Sequence, residues 1–124
     1  MKIYRAIIIV RPHGTLIANG QKIWIVKSVN FRNISHKPLL LVENKRALGI
    51  IWLGDSFEIS ISKFKKTYKK HLISEKERKK WWTGHKKLYV FPVQKIQIFS
   101  KPRRVDYPAG TQTFVKPEHL HRKM

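Results

Sequence analysis

The chain contains no cysteine. That excludes disulfides, zinc–thiolate centres and cysteine nucleophiles together, and it fits an intracellular setting. Acidic residues are scarce: 7 Asp and Glu face 27 Lys and Arg, for a formal charge of +20. An ion-paired surface would need matching carboxylates, so the excess points to a polyanionic partner, nucleic acid before acidic lipid. Long apolar runs are also missing. None approaches the ~18 residues of a spanning helix, and Ile7-Ile8-Ile9-Val10 is too short for a signal-peptide core. A cytoplasmic protein with no membrane partner is expected. The histidines, 6 in number, lack metal-ligand spacing, and no cofactor is expected.

The 42% of hydrophobic residues can build a core, so the charge does not signal disorder. A length of 124 residues suits one domain. Lys2–Val10 reads as a strand buried on both faces, ended by Pro12. Gly14–Asn19 reads as a short helix stopped at Gly20, and Lys22–Val29 as the next strand. Pro38–Glu43 and Arg46–Leu53 form a hairpin around Asn44-Lys45. Ile61, Phe64, Tyr68 and Leu72 recur at helical spacing beneath a lysine-rich face. Ser74 and Glu77 make a capping box that opens a second helix, closed by Trp81 and Trp82 before Gly84. Lys86–Phe99 is a long strand whose Pro92 requires an edge or a bulge. Beyond Lys101 the prolines predict an irregular arm with one short strand at Gln112–Val115. The succession fits an α+β fold, a small mixed barrel with short helices covering its ends, over residues 1–107, followed by an irregular basic tail, 108–124. Ile8, Ile50 and Val90 are expected in the core. Trp81 and Trp82 are ~100° apart on one helix, so one should be buried and the other partly exposed.

Gly20, Lys22, Ile25 and Lys27 fall on the spacing of the G-x-K-x-x-E-x-R signature, which this segment resembles. That is the signature of the ASCH family of the PUA-like superfamily. Arg46–Ile51 resembles the family's central strand. Leu88–Val93 and Phe99–Pro102 resemble its closing strand and exit, so the likeness spans about residues 5–105. The resemblance implies a PUA-like β-barrel. It also implies either RNA binding or hydrolysis, since relatives include small amidohydrolases acting on acetylated cytidine. The hydrolases it brings to mind use the motif lysine and a polar residue three positions on, the place of Ile25. Isoleucine cannot attack, donate or accept, so no activated nucleophile stands there. Glu43 and Glu58 are the carboxylates that strand order brings nearest to Lys22.

Binding is therefore expected over catalysis, with RNA favoured over DNA and the oligomeric state left open. Phosphates would meet Arg11, Lys22, Lys27, Lys66, Lys70, Lys79, Lys80, Lys86, Lys87, Arg103 and Arg104. A base would enter a cleft near His13, Lys22 and Trp24, and Trp82 offers a stacking face. The alternative is an RNA or modified-nucleoside hydrolase acting through Lys22.

Overall fold

A computed structural model describes residues 2–107, 114–116 and, for the backbone alone, 121–122. A mixed sheet curls into a half-barrel, with short helices over its open side. Its strands are β1 (Arg5–Ile8), β2 (Trp24–Lys27), β3 (Leu39–Glu43), β4 (Arg46–Leu53), β5 (Phe57–Ser60), β6 (Lys87–Asp106), β7 (Phe114–Val115) and β8 (His121–Arg122). The helices are α1 (His13–Ala18), α2 (Ile61–Lys66), α3 (Tyr68–His71) and α4 (Glu75–Trp82). The strand order is β2-β6-β4-β3-β1-β7, and β5 and β8 also pair with β6. Among the described residues only β1 and β3 pair in parallel; the other pairings are antiparallel.

Strand β1 is apolar on both faces because each face has a core to meet. Ile7 and Ile9 join the main cluster with Ile17, Leu39, Leu41, Ile51, Leu53 and Phe91. Ala6 joins Val42, Ala47, Val105 and Val115 on the other side. A third cluster, around Trp24, Val26, Phe64, Leu88 and Val90, seats the helices. Ile50 and Val90 are buried as expected. Ile8 is only half-buried, and Val10 is 54% exposed past the end of β1. Among the described residues no helix is long and apolar enough to cross a membrane.

The hairpin turn has the expected place and a clear reason. Asn44 and Lys45 both have positive φ (50° and 59°), the backbone that lets a two-residue turn follow the twist of its strands. Two expectations need correction. The helix expected from Ile61 to Leu72 breaks at Thr67, whose hydroxyl donates to the Lys63 carbonyl at 2.8 Å and competes with the helical ladder. Tyr68 is then exposed, and Leu72 takes a left-handed conformation. The closing strand does not end at Phe99 but runs to Asp106, pairing Arg103 with Ala47 and Arg104 with Arg46. Pro102 is tolerated because the register shifts between Ala47 and Gly49, leaving it opposite an irregular stretch. Pro92 lies where β6 passes from β2 to β4, beside a second register shift. Past residue 107, Phe114–Val115 pairs with β1 and His121–Arg122 with β6; Gln112 and Thr113 lie outside the described residues.

Candidate functional site

Helix α1 starts at His13, and Gly20 (φ 82°) turns the chain sharply after it. The Lys22 N–H then donates back to the Leu16 carbonyl at 3.0 Å, which directs the Lys22 side chain inward instead of to solvent. Lys22 is 3% exposed. Its Nζ donates to the His71 carbonyl oxygen and lies 3.2 Å from His13 Nδ1. His13 Nε2 lies 2.7 Å from Glu77 Oε2. A carboxylate can only accept, so His13 carries its proton on Nε2 and receives Lys22 at Nδ1. The result is a chain running from Lys22 through His13 to Glu77.

Each member is fixed from behind. Glu77 is the third residue of α4, and its Oε1 accepts from the Ser74 N–H (2.9 Å) and hydroxyl (3.1 Å). One carboxylate therefore both caps the helix and anchors His13. His71 is fully buried and stacks on Phe64 with ring centroids 4.0 Å apart. Its Nε2–H donates to the Phe64 carbonyl, and its Nδ1 accepts from the Ile73 N–H. That holds the backbone carbonyl which receives Lys22.

Burial dominates the electrostatics. It lowers the Lys22 ammonium from 10.5 to about 7, with Glu77 opposing the shift and Lys27 reinforcing it. Lys27 is half-buried on β2, and its pKa falls to about 8 for the same reason. His13 is lowered by burial and then by Lys22. Burial works to raise the Glu77 carboxyl, but its hydrogen bonds from Ser74 and His13 outweigh that and hold it below its usual value.

These groups open onto a cavity of about 360 Å³. Lys22, Lys27, His13 and Ser28 supply its polar lining; Ile25, Phe31, Trp81 and Trp82 supply apolar and aromatic wall. With two Nζ contacts already made inside the protein, one Nζ position of Lys22 is left for a ligand. Trp81 meets His13 edge-on, with ring centroids 5.8 Å apart. Both tryptophans are half-buried, and neither is the fully buried partner expected from their helical spacing.

The structure thus brings His13, Lys22, Lys27 and Trp82 together. Trp24 is excluded from the cavity lining: it is buried beneath the helices, with Phe57 edge-on and the Lys70 ammonium 4.8 Å from its ring centre. Arg11, Lys66, Lys70, Lys79, Lys80, Lys86, Lys87, Arg103 and Arg104 are exposed. Lys87 pairs with Glu58 at 3.0 Å, and Arg103 lies over the Phe99 ring. The carboxylate linked to Lys22 is neither Glu43 nor Glu58. Glu43 binds the Thr15 N–H and hydroxyl, and Glu58 lies on the surface strand β5. Glu77 carries a sequence signal, the capping box, but that signal explains its helix and conceals its second contact. His71 gives no signal, because its backbone carbonyl makes the contact.

No family model and no curated protein matches the sequence. Solved structures do match. The ASCH protein of Zymomonas mobilis superposes with a TM-score of 0.68 at 15% identity, covering 98% of this chain and 87% of its own. Two of its single-substitution variants match with the same score and identity, covering 98% and 99% of this chain and 88% and 91% of theirs. Beside the curled mixed sheet and its short covering helices, this likeness establishes that the chain has the ASCH-type, PUA-like α+β fold.

Proposed function

We propose that this protein binds RNA and seats one unstacked base in the cavity between Lys22 and Trp81-Trp82. The carrying observation is the cavity's composition: buried cationic donors, two indole rings, and no acidic residue among the described residues that line it. Such a lining suits a flat aromatic ring with acceptor atoms on its edge. Aromatic stacking needs a base free of its duplex, which favours single-stranded or looped RNA over duplex DNA. The relay from Lys22 to Glu77 fixes the donor's direction before a ligand arrives, so little ordering remains to be done on binding. The test is titration of labelled single-stranded RNA into wild type, Lys22→Ala and Trp82→Ala. Both variants should bind several-fold more weakly, and Trp82→Ala should also remove most of the ligand-induced quenching of tryptophan fluorescence. Unchanged affinity in both would refute the cavity as the binding site.

A second reading rests on the same geometry: Lys22, its pKa brought down by burial to about 7, is hydrogen-bonded to a His–Glu pair. A neutral amine in that place can take a proton from water. Hydrolysis would then use water as nucleophile, since Ile25 offers none. Assay of RNA and acetylated cytidine with wild type and Lys22→Ala separates the readings: turnover that Lys22→Ala abolishes establishes the hydrolase.

A further inference from the structure

We infer that the phosphates of an RNA strand leaving the cavity run over Arg11, Arg46 and Arg104, along the hairpin end of the sheet and away from the lysine-rich helices. This rests on the RNA reading above and adds the path of the strand. Three depressions carry it. Val10 and His13 line the cavity, and Arg11, between them in sequence, lines a second depression together with Thr15, Arg46 and the carboxylate Glu43. Arg46 also lines a third, a notch of about 200 Å³, with Asn44, Lys45 and Arg104. Arg11 and Arg46 thus share one depression and Arg46 and Arg104 the next, a succession from beside the cavity to the hairpin turn.

The pairing in the sheet adds an independent reason. Arg46 and Arg104 are direct cross-strand partners on β4 and β6. Like charges placed opposite each other destabilise a sheet, and a phosphate between two guanidiniums reverses that penalty. The neighbouring carboxylates already have partners beside the path. Glu43, the partner of Arg46 on β3, turns both oxygens to Thr15. Asp106 lies 3.6 Å from the Lys45 ammonium. Beside the notch, the Val105 N–H donates to the Lys45 carbonyl at 2.9 Å and ties β6 to the turn.

The probe is a fluorescein-labelled oligouridylate, titrated by anisotropy at salt concentrations from about 50 to about 200 mM. The proteins are wild type, Arg11→Gln, Arg46→Gln/Arg104→Gln, and the control Lys65→Gln/Lys69→Gln. Removing one cation that meets a phosphate of a single strand should lower the slope of log affinity against log salt by about 0.7. The arginine pair should therefore lower it by about 1.4 and Arg11→Gln by about 0.7, with the lysine control unchanged. Arg46→Lys/Arg104→Lys keeps the charge and should restore most of the slope, which separates a missing phosphate partner from a damaged fold. An equal fall in the lysine control would show a response to net charge alone and overturn the path. Binding with an unchanged slope in the arginine variants would overturn the path and leave the RNA reading standing. No binding by wild type would remove both.

Discussion

Lys22 is held where an ammonium is costly and an amine is not. Between pH 7 and 10.5 the unfolded chain keeps a proton on this lysine that the folded chain gives up. The unfolded state therefore binds more protons, and stability rises with pH across that window. Below about 7 both states are protonated and the destabilisation is fully present. Lys22→Met removes the proton but also leaves the His71 carbonyl and His13 Nδ1 without their donor, at a cost of about 1–3 kcal/mol each. Its absolute stability thus mixes two effects, but its pH dependence does not. The stability of wild type relative to Lys22→Met should climb steadily from pH 7 to pH 10, followed by urea melts at each pH. A flat difference would mean that Lys22 keeps its proton in the fold. Lys22→Arg should destabilise at every pH, because a guanidinium cannot shed its charge in this buried place. That departs from the expectation of Lys22 as a phosphate contact, for which another cation would serve. The spacing locates the residue; its burial depends on the Leu16 and His71 carbonyls, which no side-chain pattern reveals.

At the level of elements, α1, β2 and α4 carry the cavity, and the β4–β6 pair holds the arginine notch. Ser74→Ala should cost about 0.5–2 kcal/mol through removal of the cap. It should also couple to His13→Ala in a double-mutant cycle, by about 0.5–3 kcal/mol, because Ser74 and His13 hold the same carboxylate. A coupling of zero would mean that the helix cap and the relay are independent. Gly49 lies under closer constraint: a Cβ there would sit 2.5 Å from the Gln97 carbonyl oxygen. Gly49→Ala must therefore part the two strands, and thermal melts should show a loss of about 1–3 kcal/mol. The hairpin, the capping box and the apolar strands are legible in the sequence because each follows from local chemistry: turn backbone, reciprocal hydrogen bonds and burial. The break at Thr67 is not, because apolar spacing at Ile61, Phe64, Tyr68 and Leu72 persists through a residue whose hydroxyl competes with the ladder. Nor is the continuation of β6 past Pro102, which depends on a register shift set by the partner strand.

Across the whole molecule, every acidic side chain described already has a local partner. Glu43 is bound to Thr15, Asp55 to His36, Glu58 to Lys87, Glu75 to Arg78, Glu77 to His13 and Asp106 to Lys45. Little carboxylate is left among the described residues to offset their remaining cations, so most of the cationic excess behind the formal charge of +20 stays uncompensated in the fold. Composition alone makes that field legible, but it does not say which cations act together. The sheet does so by setting Arg46 against Arg104, while Lys22 is removed from the surface altogether. A partner that neutralises this field releases condensed counterions, and binding should weaken steeply as salt is added. With about 6–10 phosphates contacted, duplex affinity should fall about 10³–10⁵-fold between roughly 50 and 200 mM salt, and single strands should show a shallower slope. The contrast between the two forms decides between charge and cavity. A surface that binds by charge alone will prefer the duplex, which has the denser charge. A cavity that accepts one free base will hold single-stranded RNA better once salt has screened the surface. Affinities for both forms, measured across the series, should therefore cross, with duplex ahead at low salt and single-stranded RNA ahead at high salt. Curves that keep the duplex ahead throughout would leave the cavity without a part in recognition.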